Sequence, residues 1–583
     1  MGRRPPRTDG RRPTAAARGA PERRVLECRA VSPSTASSAR PWALGALVFA
    51  TIYWIVVLAV LRAGTPDVLD DTWEYAVVAR HLLHGHGFVT SVIHPPLWGL
   101  HDAALRVPVL VHGPLIPALL APAIALFGPA AADQVAWLAA AFAVLAAWLA
   151  YRLGARLAAP PVGAAAAGLF TLSPLTLEAV NHDLALLIGA ALLLAALELV
   201  TRPRPAPFAA GLALGLAYLV RPEMLVAAPV VAAFEWRRLA PFAAGFLACA
   251  LPWWGHHALA VGSPWFNLSN YLLLGYWGAH PDMTVLRDFR LTPAAWPQAL
   301  FEARGTLLPK WIEFFPHAMK RALMVPTDAT GWLALTGLAA AGARRTTRGF
   351  ALRVLLLTCI PVAVMTTTTY STRYLVPFLP LWALGAALGA CTLAQVLPPW
   401  GRRPRAWIGL LVLMALPSVG PALREAPRAG REHRERLARD RAGLDALAGR
   451  ERGLLFSDTP DHAAWITGRP TVWVTRREYD RLPACAGSGA GMNPGAGAGA
   501  GKEAGAGAAA SAMPGAKPGA GAGAAVSAMP GASPGAGAGA MKGAGARVDS
   551  GATPGASPGA GPTDAAGVPL PCRAEGQETW FHS

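Results

Sequence analysis

Charge is what this chain has least of. Only 15% of its 583 residues are Asp, Glu, Lys or Arg, and acids are the scarcer sign, 34 against 52 bases. A soluble chain carries about a quarter charged residues, so an ordinary soluble enzyme is excluded. The 53% hydrophobic share excludes a disordered chain. Cysteine is rare too: six residues with no CxxC pair, which argues against a zinc module. A secretory cleavage signal is also missing. The basic N-terminal region is too long for one, and the apolar block behind it is a full span.

What is present is a series of apolar blocks of about twenty residues, the length that crosses a bilayer as a helix. Trp is frequent near the block ends, as in interfacial belts. Eleven spans are expected, at about 42–62, 131–151, 161–178, 183–200, 207–221, 223–236, 239–261, 328–343, 350–369, 373–395 and 406–423. The net charge of +18 is not one patch. Ten Arg lie in the first forty residues, which read as a disordered cytoplasmic tail (1–41). Others recur between spans: Arg152 and Arg156, Arg202 and Arg204, Arg237 and Arg238, Arg344, Arg345 and Arg348, and Arg402, Arg403 and Arg405. With the tail inside, all of these loops fall inside, as the positive-inside rule requires. Nucleic acid is therefore not the expected partner; membrane lipid is.

Two long loops then face outward, 63–130 and 262–327, together with everything after 423. The stretch 113–128 is short for a span and carries three prolines, so it reads as an interfacial or re-entrant helix. Residues 424–484 read as a small extracytoplasmic α/β domain with strands at LLFSD and TVWV. Residues 485–572 hold a Gly/Ala/Pro-rich insert, expected to be disordered, and 573–583 a terminal segment with a strand-like ETWF. Cys485 and Cys572 bracket the insert in an oxidising compartment and are expected to pair. The fold class is an all-α polytopic membrane protein with this small C-terminal domain.

The first outer loop carries the chemistry. Asp67, Asp70, Asp71 and Glu74 lie within eight residues near the membrane surface. Like charges one helical turn apart, close to low dielectric, raise at least one pKa, which suits a general base. The 71-75-79 spacing puts Asp71, Tyr75 and Ala79 on one helical face, and His84-Gly85-His86-Gly87-Phe88 ends that helix. Six of the fourteen His fall in this loop: His81, His84, His86, His94, His101 and His112. No cofactor is required by the pattern, but HxH beside carboxylates leaves a divalent metal open.

These residues carry a resemblance. Asp70-Asp71-xxx-Tyr75-xxx-Ala79-xx-Leu82-xx-Gly85-x-Gly87-Phe88, followed by HGPLIPALLAPAIALFG, resembles the first outer loop of the GT-C membrane glycosyltransferases. The nearest groups are protein O-mannosyltransferases and lipid A aminoarabinose transferases. SPLTLEAVNHD (173–183), YLVRPE (218–223), LPWWGHHALAVGSPWFN (251–267), STRYLVPFLPL (371–381) and SDTPDHAAWITGRPTVWV (457–474) follow in the same order. The chain departs from that pattern with Asp-Asp where Asp-Glu is usual, and with His256 and His257 after the Pro-Trp motif.

The resemblance implies a polyprenyl-phosphate sugar donor, a lipid, polysaccharide or protein acceptor, and inverting transfer at the outer face of the inner membrane. It implies Asp71 as base, ahead of Asp70, with Glu74 and Tyr75 beside it. Glu178 and Asp183 flank the next short outer loop as substrate-side candidates. Arg221, His256 and Arg373 with Tyr374 are candidates for the carrier phosphate, with Lys310, Lys320 and Arg321 behind them. The alternative reading is a transporter or flippase of lipid-linked sugars.

Overall fold

The structure is a computed structural model that describes residues 36–64, 70–233, 236–275, 283–323, 328–345, 347–368, 372–394, 403–448, 453–482 and 579–580. Most of the basic tail (1–35), the whole Gly/Ala-rich insert and the expected Cys485–Cys572 pair lie outside the described residues.

The chain is overwhelmingly helical, and each of the eleven expected spans contains helix among the described residues. In order, α1 is Ala36–Gly64, α2 Asp70–Leu83, α3 Leu115–Phe127, α4 Val135–Leu157, α5 Pro160–Thr171 and α6 Pro174–His182. Next come α7 Leu184–Val200, α8 Pro207–Val220, α9 Ala227–Ala233, α10 Leu239–Val261 and α11 Trp296–Leu323. The chain continues with α12 Asp328–Ala343, α13 Arg348–Thr368, α14 Leu379–Ala394 and α15 Pro404–Ala448. Two short helices close the C-terminal part, α16 Pro460–Thr467 and α17 Arg476–Tyr479. Among the described residues four helical stretches are long and apolar enough to cross a membrane: Ala39–Ala59, Val135–Leu157, Arg348–Thr367 and Arg373–Ala394. The pair Pro160–Thr171 and Pro174–Val180, bent by 59°, would make a fifth. Pro174 explains the bend, because it has no N–H to continue the helix before it. The 113–128 segment is α3, a separate 13-residue helix.

Glycines set how closely the bundle packs. α8 and α10 meet backbone to backbone: a Cβ on Gly211 would lie 1.9 Å from the Phe242 carbonyl oxygen, and one on Gly245 2.1 Å from that of Phe208. α12 and α14 repeat the device, with Gly389 against the Leu333 carbonyl. Gly211-xxx-Gly215 and Gly385-xxx-Gly389 are small-xxx-small spacings, the sequence signal for close helix approach where lipid supplies no hydrophobic drive between helices.

Among the described residues there are six strands of two or three residues. β1 (Val89–Thr90) pairs antiparallel with β3 (Val107–Pro108) inside the 63–130 loop. The others form a parallel sheet in the order β2-β5-β4-β6, from Val92–Ile93, Thr471–Trp473, Leu455–Ser457 and Thr579–Trp580. LLFSD, TVWV and ETWF therefore each supply a strand. A fourth, β2, comes from the 63–130 loop, so the C-terminal sheet includes chain from well before 424. The charged segment from Arg424 is also not a separate element. It continues the last apolar span as one 45-residue helix, α15.

Two contacts fix α2 against this sheet. The Arg80 guanidinium donates to the carbonyls of Ala464 and Trp465, both at 3.0 Å, satisfying the free end of α16. The Trp73 ring stacks on His462 at 5.2 Å.

Replacing Gly245 by Val should force α8 and α10 apart and cost about 3 kcal/mol. Purified protein should melt well below wild type. Gly255→Ala, on the same helix with nothing within 4 Å, should melt at or slightly above it.

Candidate active site

α2 begins at the acids and ends at Gly85 and Gly87, whose φ angles of +76° and +78° suit only glycine without strain. The loop behind it folds back along α2. Gly113 lets that loop touch α8, since a Cβ there would sit 2.0 Å from the Leu219 carbonyl oxygen. The result is a cavity of about 510 Å3 bounded by α2, the ends of α8 and α10, the 372–378 turn and the start of α16.

Asp71 and Tyr75 line the cavity, as their helical spacing predicts. Asp71 is half-buried and acts electrostatically on Tyr75, His112, Asp183 and Arg373. The Asp70 side chain lies outside the described residues. Glu74 is different in kind. It is 3% exposed, and its Oε2 accepts from His112 Nε2 at 3.1 Å, with His94 Nε2 at 3.8 Å. Burial alone would raise this carboxyl. The two histidines outweigh burial and hold it well below the usual carboxylate range. His112 answers in the opposite sense: burial would lower it, but Glu74 raises it above its ordinary 6.5. Glu74 is therefore an ionised partner rather than a free base. The Tyr75 hydroxyl lies 3.4 Å from His112 Nδ1. Burial first, and then Asp71, push it well above 10, so it stays a neutral phenol.

The cationic side is built around Tyr374. Arg221, 8% exposed, contacts Asp183 Oδ2 at 2.8 Å and bonds Glu223. Its guanidinium carbon is 4.8 Å from the Tyr374 ring, and that of Arg373 is 5.3 Å from it. The Arg373 Nε is buried and makes no hydrogen bond. Arg221, Arg373 and Tyr374 all line the cavity. Asp183 sits behind Arg221 and acts as its counter-ion, outside the lining. Glu178 is exposed and within electrostatic reach of Arg373.

Other candidates are placed elsewhere. His256 stacks on Trp253 at 4.7 Å and does not line the cavity; its neighbour His257 does. Lys310 is also away from the cavity. Its Nζ, 1% exposed, donates to the Leu272 and Gly275 carbonyls at 3.0 and 2.7 Å, and burial lowers it to about 8. Lys310 thereby holds the loop whose Leu272 forms part of the cavity wall. Lys320 is exposed, and the Arg321 side chain lies outside the described residues. His81, His84 and His86 cluster at the end of α2. Among the described residues no group of three or more His, Cys, Asp or Glu is set to hold a metal ion.

His94, one of the six loop histidines, lines the cavity. The structure adds residues that the sequence alone did not single out: Glu223, Asp458, Asp461 and Trp473 line it too, and Tyr218, Trp254 and Trp265 form an aromatic wall. The Trp254 N–H donates to the Tyr218 hydroxyl at 2.8 Å. The available signal for Asp458 and Asp461 was their place at the start of a short helix following a strand.

No family profile matches the chain, and no curated protein does. Among solved structures it is similar to the oligosaccharyltransferase AglB of Archaeoglobus fulgidus in complex with an inhibitory peptide and a dolichol-phosphate. That likeness has a TM-score of 0.46 at 14% identity and covers 74% of this chain and 64% of that one. It is also similar to ArnT of Cupriavidus metallidurans bound to undecaprenyl phosphate, with a TM-score of 0.46 at 14% identity, covering 75% of this chain and 86% of that one. The chain spans less than two thirds of the archaeal enzyme's length. At these values the chemistry rests on this chain's own residues.

In wild type, His112 should titrate above 6.5. In Glu74→Gln the raising partner is gone and burial remains, so His112 should titrate below it. Histidine NMR of the full chain in nanodiscs measures both. The Glu74 contribution to stability is present above its unfolded pKa and lost as pH falls through its folded one. The His112 contribution is present below its unfolded pKa and lost as pH rises through its folded one. The pair should therefore stabilise most at mildly acid pH, between about 4.3 and 6.5.

Proposed function

We propose that this chain is a membrane glycosyltransferase that moves a sugar from a polyprenyl-phosphate carrier to an acceptor hydroxyl. The observation that carries the reading is one cavity with Asp71 on its rim and two guanidiniums, Arg221 and Arg373, in its wall. Asp71 takes the proton from the acceptor hydroxyl as its oxygen attacks the anomeric carbon. The bond from that carbon to the carrier phosphate breaks, and the electron pair leaves on the phosphate oxygen. The guanidiniums stabilise the resulting negative charge, so no strong acid is required. Attack from the face opposite the leaving group inverts the centre. Tyr75, kept neutral, orients Asp71.

The aromatic wall of Tyr218, Trp254 and Trp265 suits the apolar carrier. The site is on the outer face and the N-terminus in the cytoplasm. This orientation is supported by α7, which runs from Asp183 at the site to Glu198, roughly 25 Å away. There Arg152 and Arg156 each contact the Glu198 carboxylate at 2.9 Å, with Arg202 at 3.5 Å. A basic far end is the cytoplasmic one by the positive-inside rule.

The test is transfer from radiolabelled polyprenyl-phosphate sugars in membranes holding equal amounts of wild type or Asp71→Asn. Wild type should transfer, and Asn should lower the rate by a factor of about 100 or more. Transfer that survives Asn would remove Asp71 as the base. Lipid-linked sugar crossing the membrane with no transfer product would replace the reading with the flippase one.

A further inference from the structure

The wall contributed by the C-terminal sheet has its own chemistry. Asp458 and Asp461 line the cavity with Thr459 and Trp473, and no Lys or Arg lines it from that side among the described residues. Their position is fixed, not incidental. Asp461 lies in the first turn of α16, and α16 is clamped to α2 by Arg80 and Trp73. β2 pairs with β5, so His94, the residue after β2, meets Trp473 at the end of β5 with ring centroids 5.4 Å apart. The acids are thus held in register with Asp71 by packed elements rather than by a free loop.

The second observation is His94 itself. It lines the same cavity, is 6% exposed, and neither ring nitrogen makes a hydrogen bond. Its 3.8 Å approach to Glu74 is too long for one. A buried imidazole left without hydrogen bonds is costly unless a ligand supplies them.

The donor and acceptor pattern selects the ligand. Carboxylates only accept, whereas a histidine ring offers an N–H donor. The ionised oxygens of a phosphate only accept and would leave both carboxylates without a donor. An ammonium only donates and would leave the imidazole N–H unmatched. A hydroxyl does both, and a sugar ring carries several. We propose that Asp458, Asp461 and His94 form a subsite for the hydroxyl groups of a sugar ring, separate from the guanidiniums that take the phosphate. The proposal rests on the glycosyltransferase reading and names what lies beside Asp71 in it. The ring is either the donor's sugar or a sugar acceptor, and both present the same hydroxyl chemistry.

The experiment is equilibrium binding to the purified full chain in nanodiscs. One set of probes is undecaprenyl phosphate, bare or carrying glucose, mannose, galactose or arabinose. The other is the methyl glycosides of those four sugars, added with the bare carrier. Wild type should prefer at least one sugar probe, and Asp458→Asn and Asp461→Asn should each cut that preference about tenfold. Binding of the bare carrier and the melting temperature should not change, which separates a lost subsite from a lost fold. His94→Gln should weaken the same probe. Preference among glycosylated carriers assigns the ring to the donor; preference among methyl glycosides assigns it to the acceptor. No preference for any sugar in wild type, or a preference that survives all three substitutions, overturns the subsite. Failure to bind the bare carrier would count against the glycosyltransferase reading instead, and the methyl glycosides would still read the subsite.

Discussion

A carboxylate buried beside a membrane has to be paired, and Glu74 is where this molecule meets that demand. Isolated in low dielectric, an ionised acid costs several kcal/mol. Glu74 avoids this only because the 63–130 loop folds back far enough to deliver His112, 38 residues on, and His94 between them. That return path is not local. It brings Gly113 against α8, carries β2 to the C-terminal sheet, and lays His94 against Trp473. One buried charge and its two partners thus organise a loop that forms part of the cavity wall. Asp71, three residues before Glu74 and half-buried, stays outside this pairing and remains the available acid.

The separation of roles along α2 follows from helix geometry. Positions 71 and 75 share one face, toward the cavity, while Glu74 turns to the histidines and Arg80 to α16. A single 14-residue helix therefore presents the candidate base, secures the loop and docks the C-terminal sheet.

Much of this was legible in the sequence, and the parts that were not have physical reasons. The apolar blocks gave the helices, and the Asp71-Tyr75-Ala79 spacing gave the face. The Arg373-Tyr374 pair stood out because Arg is scarce in the short outer loops. The strand at Val92–Ile93 was invisible, since two residues show no alternation. The pairing of Glu74 with His112 was equally hidden, because only the folded loop brings them together. His256 and His257 illustrate a finer limit. Adjacent positions on a helix point about 100° apart, and only packing decides which one meets the cavity. Lys310 looked like a phosphate ligand by charge and proved to be a buried donor to two carbonyls.

The joint between Arg80 and the end of α16 links residues 385 positions apart in the chain. Everything between them, most of the bundle included, must be synthesised before that contact can exist. α2 and its loop emerge early, yet their partner strands and helix arrive only after the last span. Contacts this distant form late, since the loop they close is long. The cavity is consequently among the last features of the molecule to be completed, and the acids on α2 wait beside an open site until the bundle is in place.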